Sequence, residues 1–163
     1  MWSYDGPTAS ALTAMKFGRL DFLSRVLVEA GRRHVADDLP PVDVVVPVPL
    51  HWLRRWSRGY DQARLIADAV ADSLDAPVLP ALKRVRWTAV QSTLDEADRQ
   101  RNLNRAFDLR RRADVEGVDV LLVDDVLTTG ATLDAAAAPL KKAGARKVHA
   151  LTVARTPHDL ADV

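Results

Sequence analysis

At 163 residues, the chain is long enough for one domain with a sizeable core and too short for two comfortable ones. Hydrophobic residues make up 48% of it, charged residues 28%, and the net charge is +1, which is typical of soluble globular proteins. The absence of cysteine excludes disulfides, thiolate catalysis and cysteine-ligated zinc. There is neither an apolar run of transmembrane length nor a secretory signal pattern, so we expect a cytoplasmic protein without membrane insertion.

The first half of the chain predicts three helices and one buried strand. Helix signals cover residues 7–17 and residues 21–33, where Asp21 is a suitable N-cap. After a proline break, residues 43–48 form a short continuous apolar run, of the kind that is buried on both faces of a sheet. Residues 61–74 then carry apolar side chains at helical spacing.

The second half predicts a strand–helix–strand unit after a long polar segment. Residues 83–104 are charged and aperiodic, and a loop of that length in a compact domain is usually functional or mobile. Short strands are predicted on either side of it, at residues 78–79 and 106–109. A buried strand, an alanine-rich helix and a last strand follow, at residues 118–123, 133–143 and 147–154. Because strands and helices alternate at this spacing, we expect an α/β fold with a parallel sheet.

The run VLLVDDVLTTGAT, at residues 120–132, joins an acidic pair to a small, hydroxyl-rich turn. Asp124 and Asp125 follow the predicted strand at its carboxyl end, where open α/β sheets bind ligands. The turn leads into a helix N-terminus, whose N–H groups and dipole favour an anion; its residues are Thr128, Thr129, Gly130, Ala131 and Thr132. A sugar phosphate would satisfy both halves, with its phosphate on the turn and its hydroxyls on the carboxylates. A plain helix cap beside a solvated aspartate pair is the alternative.

Arginine is concentrated in three clusters in the middle of this nearly neutral chain, at residues 51–58, 83–87 and 99–112. The guanidinium fork binds phosphate oxygens bidentately, so the clusters favour a phosphate-rich ligand. A solvated basic face is the alternative interpretation of any single cluster.

These motifs resemble those of a known family. Residues 120–132 resemble the phosphoribosyl pyrophosphate (PRPP) signature of type I phosphoribosyltransferases, with four apolar positions, two acids and a threonine-rich loop. Longer stretches are similar to the ComF family, also called ComFC or GntX-like: residues 4–7, 15–17, 43–51 and 58–63, and in the middle segment Arg84, Arg86, Thr88, Gln91, Arg99, Asn102, Ala106 and Phe107. At Asp61, the family more often has asparagine. Members usually begin with a four-cysteine zinc module, but this chain has no cysteine, so no zinc is expected.

The resemblance implies a type I phosphoribosyltransferase fold, with a central, mostly parallel sheet flanked by helices and a small hood. It implies one phosphoribosyltransferase-like domain over residues 1–163. The hood would come from about residues 1–39 and 80–112, and the core from about residues 40–79 and 113–155.

The resemblance also implies an activity: the protein would bind PRPP, or another phosphorylated ribose, with Mg²⁺ and transfer phosphoribosyl to an unknown acceptor, releasing pyrophosphate. Asp124 and Asp125 would hold the ribose hydroxyls and the magnesium, directly or through water. Together with them, PRPP would contact Val126, Leu127, Thr128, Thr129, Gly130, Ala131 and Thr132. Pyrophosphate would bind the loop that holds Val48, Pro49, Leu50, His51, Arg54 and Arg58. Asp124, Asp125, Arg84 and Arg99 would be catalytic. The two arginines would stabilise the leaving group, and residues 83–102 would close as a lid.

A function of a different class is the alternative. The ComF resemblance also suggests a protein of natural competence, which binds single-stranded DNA for uptake alongside other competence proteins. Each of Trp52, Trp56 and Trp87 stands beside arginine residues and would suit base stacking. PRPP would then be a ligand and not a turned-over substrate. Packing in the core or the hood is the other interpretation of these tryptophans.

Overall fold

The structure, a computed structural model, describes residues 2–3, 26, 29, 39–50, 61–85 and 106–156. In chain order its elements are β1 (Trp2–Ser3), β2 (Val44–Pro47), α1 (Gln62–Leu74), β3 (Leu82–Arg84), β4 (Phe107–Leu109), β5 (Asp119–Leu127), α2 (Ala131–Lys142) and β6 (Lys147–Arg155). Val26 and Glu29 are helical, in agreement with the second predicted helix, while the first lies outside the described residues. In the described part of the chain, no helix has the length and apolar character needed to cross a bilayer.

The main sheet has the strand order β1-β6-β5-β2, and all neighbouring strands run parallel. β5 is central, since it pairs with β2 on one side and with β6 on the other. On the outer side of β2, Val78 forms a single parallel bridge with Val45, where a short strand was expected. This parallel sheet with flanking helices confirms the predicted α/β class.

The apolar runs of β2 and β5 are buried on both faces of the sheet. Val45, Leu121 and Val123 pack on the face covered by α1, with Ile66, Ala67 and Val70. Val46, Val120 and Leu122 pack on the opposite face with the α2 residues Ala135, Ala136 and Leu140. Because side chains alternate along a strand, one continuous apolar run supplies both layers. Each large aliphatic side chain buried in this way contributes about 1.5–3 kcal/mol.

The chain connections diverge between β2 and β5. β2 leads through α1 to Val78 on its outer side, whereas β5 leads through α2 to β6 on the opposite side. Such a divergence leaves a crevice at the carboxyl ends of the two adjacent strands, which is where open α/β sheets bind ligands. Here those ends are Pro47 and the acidic pair of β5.

β3 and β4 form a separate two-stranded antiparallel sheet. The Lys83 Nζ atom pairs with the carboxylate of Asp108 at 3.1 Å, and Leu82 and Phe107 belong to the apolar cluster that includes α2. Lys83 and Arg84 therefore lie in a strand, whereas a long loop was expected to begin at residue 83. Closure of this segment as a lid stays a prediction. Residues 86–102, the rest of the predicted lid after Val85, lie outside the described residues. The division into hood and core stays a prediction.

Several elements differ from the expectation. β5 ends at Leu127 and not at residue 123, because β6 continues to pair with it as far as Arg155. The helix α2 begins at Ala131, two residues earlier than predicted. β1 was not predicted, because two residues are too few to show an alternating pattern; it pairs with the last residues of β6.

Candidate functional site

Asp124 and Asp125 lie where β5 extends past the end of β2. β2 ends at Pro47, which pairs with Val123, and the Val48 N–H donates to the Val123 carbonyl at 2.8 Å. Among the strands that the structure describes, β5 pairs only with β6 from Asp124 onward. The sequence analysis expected the acids to follow the strand, but in the structure they belong to it. They nevertheless lie at the carboxyl end of the strand pair, beyond the last paired residue of β2.

Both carboxylates accept hydrogen bonds from the backbone of the next residue. The Asp125 N–H donates to Asp124 Oδ1 at 2.9 Å, and the Val126 N–H donates to Asp125 Oδ1 at 2.8 Å. Each bond uses one carboxylate oxygen and orients the side chain against the strand. Carboxylate oxygens are the groups by which such a pair can bind a hydroxyl or a cation.

Burial, and then the negative charge of Asp125, raise the pKa of Asp124 to about 8. The charge of Asp61 also contributes to the raised pKa of Asp124. Asp61 is the N-cap of α1, and its Oδ1 accepts the Arg64 N–H at 3.4 Å. The acidic site is thus costly to ionise without a positive partner.

At the opposite, amino end of the same strands, the acidic residues pair with an arginine. Arg146 donates from Nε to Asp119 Oδ1 at 2.8 Å and from Nη2 to Asp43 Oδ2 at 3.2 Å. The hydrogen bond from Arg146 holds the pKa of Asp119 below its usual value. An arginine thus neutralises the acids at this end, whereas the carboxyl end keeps an unfavourable acidic group. Unfavourable, perturbed carboxylates in a crevice are typical of functional sites.

The predicted phosphate turn leads into the N-terminus of α2. Thr128 and Thr129 are exposed, and Gly130 is the N-cap, with φ of 85° and ψ of −16°. This left-handed conformation favours glycine, although a Cβ there would meet nothing closer than Leu127 Cδ1 at 3.8 Å. Gly130 has no side chain to cap the helix, while Thr129 Oγ1 accepts the Ala131 N–H at 3.4 Å. The start of α2 thus remains open to an anion.

Thr152 is a buried hydroxyl next to the acidic pair. It is the Cα partner of Asp124 on β6 and is only 2% exposed. Partner residues on neighbouring strands project from the same face of the sheet. Within the described part of the chain, its Oγ1 has no hydrogen-bond partner. An unsatisfied buried hydroxyl costs about 1–3 kcal/mol.

We expect Thr152→Val to stabilise the ligand-free protein by about 1 kcal/mol, because valine keeps the shape and removes the unsatisfied hydroxyl. Urea denaturation monitored by circular dichroism measures the change. Thr152→Ser, which keeps the hydroxyl, is the control and should show no gain. A destabilised Thr152→Val protein would mean that the hydroxyl has a partner in solution.

The predicted pyrophosphate loop begins at the carboxyl end of β2. Val48 is 4% exposed, while Pro49 and Leu50 are partly exposed and line a cavity of about 270 Å³. Arg84 lines the same cavity from β3, with its guanidinium carbon 5.3 Å from the centre of the Phe107 ring. Loop and arginine, far apart in sequence, are thus brought together. The other candidates, His51, Trp52, Arg54, Trp56, Arg58, Trp87 and Arg99, lie outside the described residues.

Sequence reasoning did not assign Asp61, Thr152 or Arg110 to the site. Asp61 stood out as a helix start, and its position after the loop of β2 was the available signal, since helix N-termini gather at the carboxyl edge of such sheets. Thr152 interrupts an otherwise apolar stretch of the last strand. Arg110 was counted within an arginine cluster, and nothing local distinguishes it from Arg111 and Arg112.

Comparison with known proteins decides the family. The family model of the phosphoribosyl transferase domain matches residues 61–163. Competence protein F of Haemophilus influenzae is 34% identical over 162 residues, which cover 93% of this chain and 69% of that protein. The chain belongs to the ComF family of phosphoribosyltransferase-domain proteins. Other ComF relatives include the DNA utilization protein YhgH of Escherichia coli K12, 35% identical over 94% of this chain and 69% of that protein. Competence protein ComFC of Bacillus subtilis is 36% identical over 69% of this chain and 45% of that protein.

Solved structures confirm the type I phosphoribosyltransferase fold of this ComF protein. The glutamine PRPP amidotransferase of B. subtilis superposes with a TM-score of 0.55 at 22% identity, over 80% of this chain and 26% of that one. The hypoxanthine phosphoribosyl transferase of Trypanosoma cruzi gives a TM-score of 0.50 at 14% identity, over 85% of this chain and 76% of that one. At these identities the likeness concerns the fold alone.

Proposed function

We propose that this protein binds PRPP with Mg²⁺ and transfers phosphoribosyl to an acceptor, with release of pyrophosphate. The observation that carries the proposal is the acidic pair of β5 in the crevice beyond β2, a few residues before an open helix N-terminus at Gly130. That spacing suits a ligand with vicinal hydroxyls at one end and a phosphate at the other. Membership of the ComF family supports the same ligand.

In this proposal the 5′-phosphate binds at residues 128–132. The helix dipole and the first N–H groups of α2 favour the dianion, and the threonine hydroxyls add donors. Fixing the phosphate there places the ribose over β5, where Asp124 and Asp125 accept hydrogen bonds from its 2′- and 3′-hydroxyls. Anchoring both ends of the sugar limits its motion and presents the anomeric carbon to an acceptor.

Asp124 and Asp125 would also hold the magnesium. Their donors are all oxygen, which Mg²⁺ prefers, and it commonly needs only one or two carboxylates when substrate phosphates supply the rest. A cation there would offset the acidic repulsion that raises the pKa of Asp124. When bound, the ion would offset the negative charge of the pyrophosphate group.

The transfer itself forms a bond between the acceptor nucleophile and the anomeric carbon, while the carbon–oxygen bond to pyrophosphate breaks. The electron pair leaves with the pyrophosphate, and the acceptor loses a proton to solvent. The loop of Val48, Pro49 and Leu50, with His51, Arg54 and Arg58, would receive the leaving group. Arg84 and Arg99 would stabilise its growing negative charge, and a closed lid would exclude water.

Isothermal titration calorimetry of the whole chain with PRPP, with and without Mg²⁺, tests the proposal. We expect micromolar binding that weakens at least tenfold when EDTA removes the metal. Ribose 5-phosphate, which lacks the pyrophosphate, should bind more weakly than PRPP. Flat titrations of folded protein at millimolar PRPP would reject the proposal.

A second function is favoured by the names of the relatives, which refer to competence and DNA utilization. Single-stranded DNA would bind along the arginine clusters, with bases stacked on Trp52, Trp56 or Trp87. Such binding should fall steeply with salt, and each stacked base is worth about 1–3 kcal/mol. Salt-dependent oligonucleotide binding that Trp87→Ala weakens, without pyrophosphate release from any nucleobase tested, would favour this function over transfer.

A further inference from the structure

Thr152 is a polar residue buried within an otherwise apolar part of β6. Its side chain is 2% exposed, and the residues on either side of it, Leu151 and Val153, belong to the apolar cluster on the α1 face of the sheet. Because side chains alternate along a strand, Thr152 projects from the opposite face, where Val148 packs with α2. The hydroxyl therefore lies on the α2 side of the sheet.

Asp124 lies on the same face, directly beside Thr152. Val123 belongs to the α1 cluster and Leu122 to the α2 cluster, so the alternation of β5 places Asp124 on the α2 side. The register of the two strands pairs Asp124 with Thr152, just as it pairs Leu122 with Ala150. Neighbouring strands are about 4.8 Å apart, and a hydrogen bond from a hydroxyl to a carboxylate spans about 2.5–2.7 Å. Rotation of either side chain is therefore sufficient to join the two groups.

The two side chains are not bonded to each other in the structure. Within the described residues, Thr152 Oγ1 has no hydrogen-bond partner, and Asp124 Oδ1 accepts the Asp125 N–H at 2.9 Å. A buried, unsatisfied hydroxyl destabilises the fold, whereas valine would fill the same volume without a polar atom. Packing alone therefore does not account for the hydroxyl, but a partner acquired on ligand binding does.

We propose that Thr152 is a positioning residue: when a ligand binds Asp124, the Thr152 hydroxyl donates to the Asp124 carboxylate and fixes its orientation. The carboxylate then presents its other electron pairs to a ribose hydroxyl or to Mg²⁺ in one geometry. Thr152 acts through Asp124 and contacts no substrate itself. The inference rests on the proposed function and adds to it a residue behind the acidic pair.

A hydrogen bond that exists only in the ligand-bound state contributes to affinity. The ligand-free protein bears the cost of an unsatisfied hydroxyl, and the bound protein does not, so the difference adds to the free energy of binding. Removal of the hydroxyl should therefore change two measurable quantities in opposite directions. The stability of the ligand-free protein should rise, and the affinity for PRPP should fall.

Isothermal titration calorimetry of the whole chain with PRPP and Mg²⁺ compares the wild type, Thr152→Val and Thr152→Ser. Thr152→Val should bind about tenfold more weakly, which corresponds to about 1.4 kcal/mol. Thr152→Ser is the matched control, because it keeps the hydroxyl and removes the methyl group; its affinity should stay within about threefold of the wild type. Weaker binding by Thr152→Ser than by Thr152→Val would assign the effect to packing of the methyl group and overturn the proposal.

Urea denaturation of the same preparations separates a positioning role from a folding defect. Thr152→Val should be at least as stable as the wild type without ligand, so that its lower affinity does not come from partial unfolding. A destabilised Thr152→Val protein would show that the hydroxyl already has a partner in the ligand-free protein, which overturns the proposal.

A double-mutant cycle with Asp124→Ala tests whether Thr152 acts through Asp124. In the Asp124→Ala background the carboxylate is absent, so adding Thr152→Val should change the affinity for PRPP by less than about twofold. The same tenfold loss in both backgrounds would mean that the hydroxyl binds the ligand itself, and the positioning role would be wrong.

The titration of the wild type distinguishes a failure of this inference from a failure of the proposed function. A flat titration of folded wild-type protein rejects PRPP binding and the role of Thr152 with it. Normal binding by the wild type and equal binding by Thr152→Val rejects the role of Thr152 alone and leaves the proposed function in place.

Discussion

Replacing Asp124 and Asp125 together with asparagine should weaken PRPP binding at least about 100-fold, because two charge-assisted contacts worth about 1.5–3 kcal/mol each are lost. Asparagine keeps an Oδ1 acceptor, so the hydrogen bonds from the Asp125 and Val126 N–H groups can be retained. Both side chains are only partly buried and belong to neither apolar cluster. The fold should therefore persist while the ligand site is lost. Calorimetry with PRPP and Mg²⁺ measures the effect.

Asp134→Asn is the matched control for this double variant. It removes one charge from the exposed first turn of α2, next to the proposed phosphate site but outside the crevice. Its affinity for PRPP should stay within about threefold of the wild type. If the double variant unfolds, the acids are structural; if it binds PRPP normally, the ligand does not use this crevice.

Stability should fall as the pH rises through the titration of Asp124. The folded protein holds this carboxyl proton up to about pH 8, whereas the unfolded chain releases it near the ordinary aspartate value of 3.8. Between these values the native state binds more protons than the unfolded state, so the free energy of unfolding decreases with increasing pH. Each unit of pKa difference corresponds to about 1.4 kcal/mol, so the decrease amounts to a few kcal/mol between about pH 4 and pH 8.

Asp124→Asn should remove most of this slope and stabilise the protein at pH 8 by a few kcal/mol, with little effect near pH 4. Urea denaturation at a series of pH values measures both quantities. Asp119→Asn is the control with the opposite sign, because Arg146 lowers the pKa of Asp119 and its contribution is lost on acidification. Equal slopes in the wild type and in Asp124→Asn would show that Asp124 ionises freely in the folded protein.

Both predictions concern Asp124. Its carboxyl group destabilises the ligand-free fold and is expected to be needed for ligand binding. A partly buried carboxyl beside the charge of Asp125 costs stability. A sugar hydroxyl or a divalent cation in the crevice would recover that cost on binding. Mg²⁺ should therefore raise the stability of the wild type more than that of Asp124→Asn, in proportion to its preferential binding to the native state.

Local patterns were sufficient for the elements whose signal lies within a dozen residues. The apolar run of β2, the helical spacing of α1 with its cap at Asp61, and the alternation of β6 all predicted elements that the structure contains. Side-chain periodicity is a property of the strand or helix itself, which is why these predictions needed no tertiary information. The apolar run of β5 predicted a strand end four residues too early, because pairing with β6 extends the strand to Leu127.

The sequence by itself determined the α/β class, the position of the acidic pair and the glycine turn, because a strand, two acids and a helix start lie within one continuous run. Only the tertiary structure decided what surrounds that run. Thr152 is paired with Asp124 through the register of β6, and the charge of Asp61 on α1 affects the pKa of Asp124. Arg110 is held by the carbonyl of Leu82, 28 residues away. Register and packing depend on contacts between distant segments, and such contacts leave no mark on the local spacing of residues.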